Sequence, residues 1–196
     1  MAKMLFQGHG SFRLTSDAGQ VVYIDPFAGE GYDAPADIIL VTHQHDDHNQ
    51  IQLCTQKPDC RVITNAEALD GGHHNTFNFD GIAIEAVQAY NSNHKADECV
   101  GFTITIDGVK IYASGDTSTT AQMAEFAARG LDYAVLCGDG IYNMDMAEAA
   151  DCAKTIGAKH NIIIHLATDA EEHAKKATTW DAPNKLLMLF GQEIAL

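Results

Sequence analysis

The sequence has few basic residues, a single tryptophan and no long apolar run. Lys and Arg together number 12 against 27 Asp and Glu, which gives a formal net charge of −15 in 196 residues. A chain this acidic lacks the excess of positive charge that binds a polyanion or an anionic lipid surface, and we expect no nucleic-acid partner. Its apolar runs stay below the roughly 18 residues of a membrane span, so we expect no membrane partner either.

Cysteine pairs with metal-binding spacing are also absent. The five cysteines include no CxxC pair, which favours small buried side chains in a reducing cytosol, with a cysteine metal ligand as the alternative. The first residues contain no apolar segment typical of a secretory signal, so we expect a cytoplasmic protein. The hydrophobic content of 46% predicts a folded chain, and the length suits one domain, residues 1–196.

Short apolar segments follow one another in the first half and alternate with helix-like segments in the second. An Asp107-Gly108 turn between two apolar segments predicts a hairpin. The predicted strands are 11–14, 21–24, 37–41, 61–64, 76–90, 101–106, 109–113, 131–137 and 161–164. The predicted helical segments are the polar stretch after residue 48, then 118–129, 145–156 and 169–178. This order favours a mixed α/β fold with helices covering sheets.

Ten histidines are an unusual surplus, and three of them fall in one motif with an aspartate. His43, His45, Asp47 and His48 directly follow a predicted buried strand. Imidazole and carboxylate are ligands for zinc or a similar divalent ion. Residues two apart on extended backbone share a face, so His43 and His45 can hold one ion, while Asp47 and His48 suggest a second. From the composition, the probability that this motif arises by chance somewhere in the chain is about two in a thousand. This low probability disfavours the alternative that the motif is only a solvated loop.

Further ligands are expected where other strands end, because sites in such sheets gather at carboxyl ends of strands. Asp116 follows the strand 109–113, His165 ends the strand 161–164, and His94 lies in a loop after 76–90. Taken singly, each has an ordinary alternative as a turn residue, a core or surface histidine, or a loop residue.

In order along the chain, the candidates are HxHxDH, a later His, Gly115-Asp116-Thr117 and a strand-end His. This ordered set resembles that of the metallo-β-lactamase superfamily. More narrowly, it is similar to the compact branch of metal-dependent hydrolases, to which an L-ascorbate-6-phosphate lactonase is related. Segments Gly8-His9-Gly10-Ser11-Phe12 and Ile24-Asp25-Pro26-Phe27 contribute to a likeness that covers nearly the whole chain. The resemblance implies an α+β, mixed α/β fold arranged as a four-layer αββα sandwich.

The resemblance also implies a centre of two divalent ions, with Zn²⁺ favoured and Mn²⁺ or Fe²⁺ as alternatives. Asp25 would buttress the histidine loop, or else be a turn residue before a proline, and His9 would lie near the ions or be an ordinary strand-end residue. The implied ligands of the first ion are His43, His45 and His94. Those of the second are Asp47, His48 and His165, with Asp116 bridging the two.

This centre predicts a hydrolase of a small ester, lactone or phosphodiester. Two ions about 3.5–4 Å apart can hold a bridging water, and the hydroxide that forms from this water would attack a carbonyl or phosphoryl centre. Asp47 would be both ligand and proton shuttle. The loop residues Asn93, Tyr142 and Asn143 are candidates for lining the substrate pocket, although each has an ordinary surface-loop interpretation.

Two alternatives of other classes stay open from the sequence, a nuclease of the same superfamily and a non-catalytic metal-binding or sensor protein. The net charge and the short chain disfavour the nuclease. A β-lactam substrate is not expected without a secretory signal. A small-molecule substrate is therefore the expected partner, and the sequence is compatible with a homo-oligomer.

Overall fold

Fourteen strands and four helices make up the fold in the computed structural model, which describes residues 1–196. The strands are β1 (Lys3–Gly8), β2 (Ser11–Thr15), β3 (Val21–Ile24), β4 (Ala36–Leu40), β5 (Gln56–Ile63), β6 (Leu69–Asp70), β7 (His73–His74), β8 (Thr76–Phe79), β9 (Ile82–Gln88), β10 (Val100–Ile106), β11 (Val109–Ala113), β12 (Tyr133–Cys137), β13 (His160–Ile164) and β14 (Gln192–Ala195). The helices are α1 (Asn65–Ala68), α2 (Met123–Phe126), α3 (Met146–Ile156) and α4 (Ala170–Thr179).

The strands form two six-stranded sheets, apart from the short pair β6-β7. The first sheet has the order β14-β1-β2-β3-β4-β5, and the second has the order β13-β12-β11-β10-β9-β8. The pairs β3-β4, β4-β5, β11-β12 and β12-β13 are parallel, and the others are antiparallel. Strands β1, β3 and β4 therefore end at one edge of the first sheet, and β9, β11, β12 and β13 end at one edge of the second.

The main hydrophobic core lies between the two sheets. Alternate side chains such as Phe6, Phe12 and Phe102 are buried there in a cluster of 25 residues, as expected for strands with one face toward the core. A second cluster of 19 residues, including Tyr112 and Trp180, joins the outer face of the second sheet to the helices. The fold class of the αββα sandwich is thus confirmed.

The outer face of the first sheet is covered mainly by irregular chain. Tyr23 and Ile39 belong to a small buried cluster against which Tyr32, Ala34 and Ile51 pack. The Tyr23 hydroxyl donates to the carbonyl of Ala34 at 2.8 Å. Only one turn of 3₁₀-helix, Ile51–Leu53, lies in this region. The outer layer on this side is therefore reduced to a loop and a single turn.

Local sequence features explain several element boundaries. The Asp107-Gly108 hairpin is confirmed, and both residues have the positive φ (50° and 81°) that such turns use. Helix α3 begins after Asp145, whose carboxylate accepts the N–H groups of Ala147 and Glu148, and it ends at Gly157 in the left-handed region. The predicted strand 76–90 is two strands, separated by a turn at residues 80–81.

Two predicted helices were wrong in extent. The polar segment after residue 48 forms only the 3₁₀ turn Ile51–Leu53, and the N–H of Gln50 bonds to the carbonyl of Pro26 instead of closing a helical turn. The helix predicted at 118–129 contains only α2 and one following 3₁₀ turn. Its first residues are held elsewhere, since Ser118 donates to the carbonyl of Tyr90 and Thr119 to the carboxylate of Glu148.

No helix combines the length and the apolar character that a membrane crossing requires.

Candidate metal centre

Seven strand ends meet where the two sheets open, and each supplies a polar side chain. Because the loops after parallel-running strands leave the same edge, residues far apart in sequence come together. The residues are His9 after β1, Asp25 after β3, His43, His45, Asp47 and His48 after β4, His94 after β9, Asp116 after β11, Asp139 after β12 and His165 after β13. All seven predicted ligands therefore lie in one place, including His94.

Three histidine nitrogens form the first ligand group. His43 Nε2 lies 3.1 Å from His45 Nδ1, and His94 Nε2 lies 3.2 Å from the same atom. Ligand atoms that bind a tetrahedral zinc ion at about 2.0–2.1 Å are themselves about 3.3 Å apart. The spacing of these nitrogens thus matches the shell around a single ion.

A second ligand group lies beside the first. His48 Nε2 and His165 Nε2 are 3.2 Å apart, and Asp47 Oδ2 lies 3.5 Å from His165 Nε2. Asp116 stands between the two groups, with its oxygens 3.3 Å from His48 Nε2, 3.5 Å from His165 Nε2 and 3.5 Å from His94 Nε2. One carboxylate therefore faces both groups.

The donor set fits divalent cations. Asp116 Oδ1 is buried and accepts no hydrogen bond within the protein, a situation that is costly for a carboxylate oxygen without a cation. The imidazole nitrogens of each group also face one another at hydrogen-bond distance. A neutral imidazole has one donor and one acceptor nitrogen, so these nitrogen pairs cannot all be hydrogen bonds. A cation in each group would satisfy both requirements, and the mixture of nitrogen and oxygen donors suits zinc, manganese or iron.

In the four buried histidines of the two ligand groups, Nε2 points to the centre and Nδ1 lies close to another polar atom. His48 Nδ1 is 2.9 Å from Asp25 Oδ2, and His165 Nδ1 is 3.0 Å from Asp139 Oδ2. His43 Nδ1 faces the hydroxyl of Thr42 at 3.0 Å, and His94 Nδ1 faces Asn91 Oδ1, also at 3.0 Å. Such partners fix the tautomer and the ring orientation of metal-binding histidines.

The position of Asp25 agrees with the predicted buttressing of the histidine loop. Its carboxylate accepts the N–H and the hydroxyl of Thr42, both at 2.7 Å, besides facing His48. The carboxylate is thereby held by backbone and side chain of the loop that carries the ligands. Its own backbone is in the left-handed region, with a φ of 46°, and such strain is typical of functional sites.

His9 lies at the centre but differs from the other histidines. Its Nε2 is 3.1 Å from Asp47 Oδ2, and its ring lies against that of His165, with centroids 3.7 Å apart and the planes tilted by 42°. Its Nδ1 is buried without a partner. A Cβ on the adjacent Gly10 would lie 3.0 Å from Cε1 of His48, so only glycine lets this turn approach the site so closely.

Asp139 is a site residue that the sequence reasoning missed. Its Oδ1 accepts the N–H groups of Ile141, Tyr142 and Asn143 at 2.6, 2.8 and 3.1 Å. Its Oδ2 faces His165 and accepts the side-chain amide of Asn143 at 2.9 Å. The same amide nitrogen donates to Asp116 Oδ2 at 2.9 Å. The available indication was its position directly after a buried strand, as for Asp116 and His165.

In the protein without metal ions, the two ligand groups differ in charge. Burial lowers the pKa of His43 to about 2, and the charge on His48 acts in the same direction. Burial also opposes charge on His165, but the carboxylates of Asp116, Asp139 and Asp47 raise its pKa to about 9. His43 thus presents a neutral nitrogen, whereas the second group holds positive charge among carboxylates.

Two adjoining cavities, with volumes of about 240 and 210 Å³, open onto the centre; the first contacts only the first group, and the second contacts both groups. Asn93 and Tyr142 line the second of them, as predicted for pocket residues, while Asn143 contacts Asp116 instead. The largest cavity, of about 460 Å³, lies at the opposite end of the sheets around Asp37 and Lys57 and contains none of the ligand candidates.

The fold and the histidine-aspartate cluster together define a metal-binding protein of the αββα class. The sequence model of the Beta-lactamase superfamily domain matches residues 3–165. The chain therefore belongs to the beta-lactamase superfamily, which confirms the resemblance found in the sequence.

Individual relatives agree with this placement. A metal-dependent hydrolase of Methanoculleus marisnigri is 31% identical over 190 residues, covering 85% of this chain and 81% of the relative. A protein of Parabacteroides distasonis, assigned as a metal-dependent hydrolase, has a crystal structure with a TM-score of 0.75 at 26% identity, covering 97% of this chain and 94% of that one. A metallo hydrolase of Ignicoccus hospitalis shares the fold, with a TM-score of 0.75 at 21% identity over 99% and 98% of the two chains.

Proposed function

We propose that this protein is a dinuclear metal-dependent hydrolase of a small ester, lactone or phosphodiester. The observation that carries the proposal is the position of Asp116, whose carboxylate faces His94 of one ligand group and His48 and His165 of the other. The hydrolase names of the relatives support the reaction class. A small-molecule substrate and a cytoplasmic location are parts of the same proposal.

In this proposal, His43, His45 and His94 hold one ion, and Asp47, His48 and His165 hold the other, with Asp116 shared. Bound divalent ions supply Lewis acidity toward the substrate oxygen and lower the pKa of water toward neutrality. Asp25, Asn91, Thr42 and Asp139 orient the histidines through their remote nitrogens. The Asp47 carboxylate is the group that accepts the proton of the attacking water.

His9 is a positioning residue in this scheme. A buried N–H without a partner costs more than a buried imine nitrogen without one, so we place the ring hydrogen of His9 on Nε2. That N–H donates to Asp47 Oδ2 at 3.1 Å. His9 would therefore hold the Asp47 carboxylate in place.

The replacement His9→Ala is expected to lower kcat about 10- to 100-fold and to weaken metal retention, because Asp47 loses its fixed orientation. His9→Gln, whose amide can also donate, should recover much of both. Metal content after dialysis against a weak chelator and kcat/KM measure the two effects. Equal losses in both variants would contradict a role through hydrogen bonding.

The hydrolase proposal is tested by metal analysis together with turnover. We expect two equivalents of metal per chain, and hydrolysis of at least one member of a panel of lactones, carboxylic esters, thioesters and phosphodiesters. Two bound equivalents without turnover on the panel would contradict the enzyme and favour a metal-binding or sensor protein. An RNA shift that weakens with salt, accompanied by RNA cleavage, would instead favour the nuclease.

A further inference from the structure

The turn that follows β12 places exposed apolar side chains at the mouth of the metal centre. Ile141 and Tyr142 are 73% and 62% exposed, the first two residues of this turn after Gly140. Tyr142 lines the cavity of about 210 Å³ together with His45, Asp47 and His165. It is the one aromatic residue that lines either cavity at the centre.

This turn is held rigidly although its side chains are exposed. Asp139 accepts three successive backbone N–H groups of the turn. The side-chain amides of Asn91 and Asn93 each donate to the carbonyl of Tyr142 at 3.0 Å. Binding to a preorganised aromatic side chain costs little conformational entropy, because the backbone is fixed and only two side-chain torsions must be ordered.

Apart from the residues of the two ligand groups, the lining is neutral or acidic. Gln44, Asn65 and Asn93 present amides, and Glu98 presents a carboxylate. Neither cavity is lined by Lys or Arg, the side chains that most often pair with phosphate groups. Both volumes are below the roughly 300–1,000 Å³ of pockets for drug-sized ligands. These walls suit a small molecule that is uncharged outside its reacting group.

We propose that the substrate is a small uncharged ester or lactone whose non-reacting part is apolar and packs on Tyr142. The inference rests on the proposed hydrolase function and narrows it from carbonyl or phosphoryl centres to carbonyl compounds. In the reaction, the oxygen of water bonds to the carbonyl carbon and the ester C–O bond breaks. The departing oxygen takes up a proton, which yields a carboxylic acid and an alcohol or, from a lactone, a hydroxy acid.

The test compares substrates that share a reacting group and differ only in an apolar part. Methyl acetate is paired with methyl phenylacetate, and γ-butyrolactone with γ-phenyl-γ-butyrolactone, using the metal-loaded full chain. We expect wild-type kcat/KM to be about tenfold higher for the aromatic member of a pair, the size expected for one aromatic contact. Tyr142→Ala should remove this preference mainly through KM, while Tyr142→Phe keeps it. Metal content should be unchanged in both variants.

Leu53→Ala provides a matched control, because Leu53 is an exposed apolar residue (42%) on the outer face of the first sheet. It should preserve the preference. An equal effect of Tyr142→Ala on both members of a pair would overturn the role of Tyr142. Hydrolysis of bis(p-nitrophenyl) phosphate but of neither pair would overturn the substrate class while keeping the hydrolase. Two bound metals without any turnover would overturn the proposed function and this inference with it.

Discussion

Replacing Asp116 by asparagine is expected to reduce kcat/KM at least about a thousandfold and to lower the metal content from two equivalents to at most one. The carboxylate faces both ligand groups, and its Oδ1 is buried without a hydrogen bond. The amide keeps the shape but removes the shared negative charge. Loss of metal-based charge stabilisation is worth several kcal/mol, and each ~1.36 kcal/mol is a factor of ten in rate.

The matched control is Asp37→Asn, which replaces an aspartate at the opposite end of the sheets that pairs with Lys57. This variant should keep both metal equivalents and near wild-type turnover. Elemental analysis, kcat/KM and thermal unfolding of both variants give the comparison. If Asp116→Asn retained two tightly held ions and normal turnover, the shared carboxylate would not be the centre of the site.

Metal affinity is expected to rise steeply between about pH 6.5 and 9. In the protein alone, burial opposes the charge on His165, but Asp116, Asp139 and Asp47 raise its pKa to about 9. Burial is likewise outweighed at His48, where Asp116 and Asp25 raise the pKa. A histidine must lose its proton to bind a metal, so each of the two contributes up to about tenfold in affinity per pH unit below its pKa.

The stability of the chelator-treated protein should have the opposite dependence on pH. The raised pKa of His165 stabilises the fold fully below the unfolded value of about 6.5, and this contribution is lost as pH rises through about 9. The pKa of Asp139 is held low by His165 and backbone N–H groups despite burial. Its contribution is present above about pH 4 and lost in stronger acid. His43, whose pKa burial lowers to about 2, instead destabilises the fold as pH falls below about 6.5, because the unfolded imidazole gains a proton that the buried one does not. The metal-free protein should thus be most stable near pH 6.5.

Calorimetry of zinc binding in two buffers of different ionisation enthalpy measures the protons released, and urea unfolding across pH measures the stability. His160→Gln, which replaces an exposed histidine outside the centre, should leave both dependences unchanged. Zinc affinity that is flat from pH 6.5 to 9, with no proton release, would show that these histidines are already neutral in the metal-free protein.

Features that depend on neighbours in sequence were predictable. The Asp107-Gly108 turn and helix α3 with its Asp145 and Gly157 ends follow from local backbone preferences. The motif from His43 to His48 shows its chemistry without any tertiary information, because donor type and spacing suffice. The helix at 118–129 failed since its first residues bond to Tyr90 and Glu148, which are distant in sequence.

The sequence by itself determined the ligand types, the order of strands and helices, and the acidic character of the chain. Tertiary structure alone decided that Asp116 faces both groups, that Asp139 supports His165, and that His9 Nδ1 lacks a partner. The physical reason is that these relations join the ends of different strands, within the second sheet for Asp139 and His165 and between the two sheets for Asp116 and His48. The distances between these residues are set by the order and packing of the sheets, which cannot be predicted from a short segment of sequence.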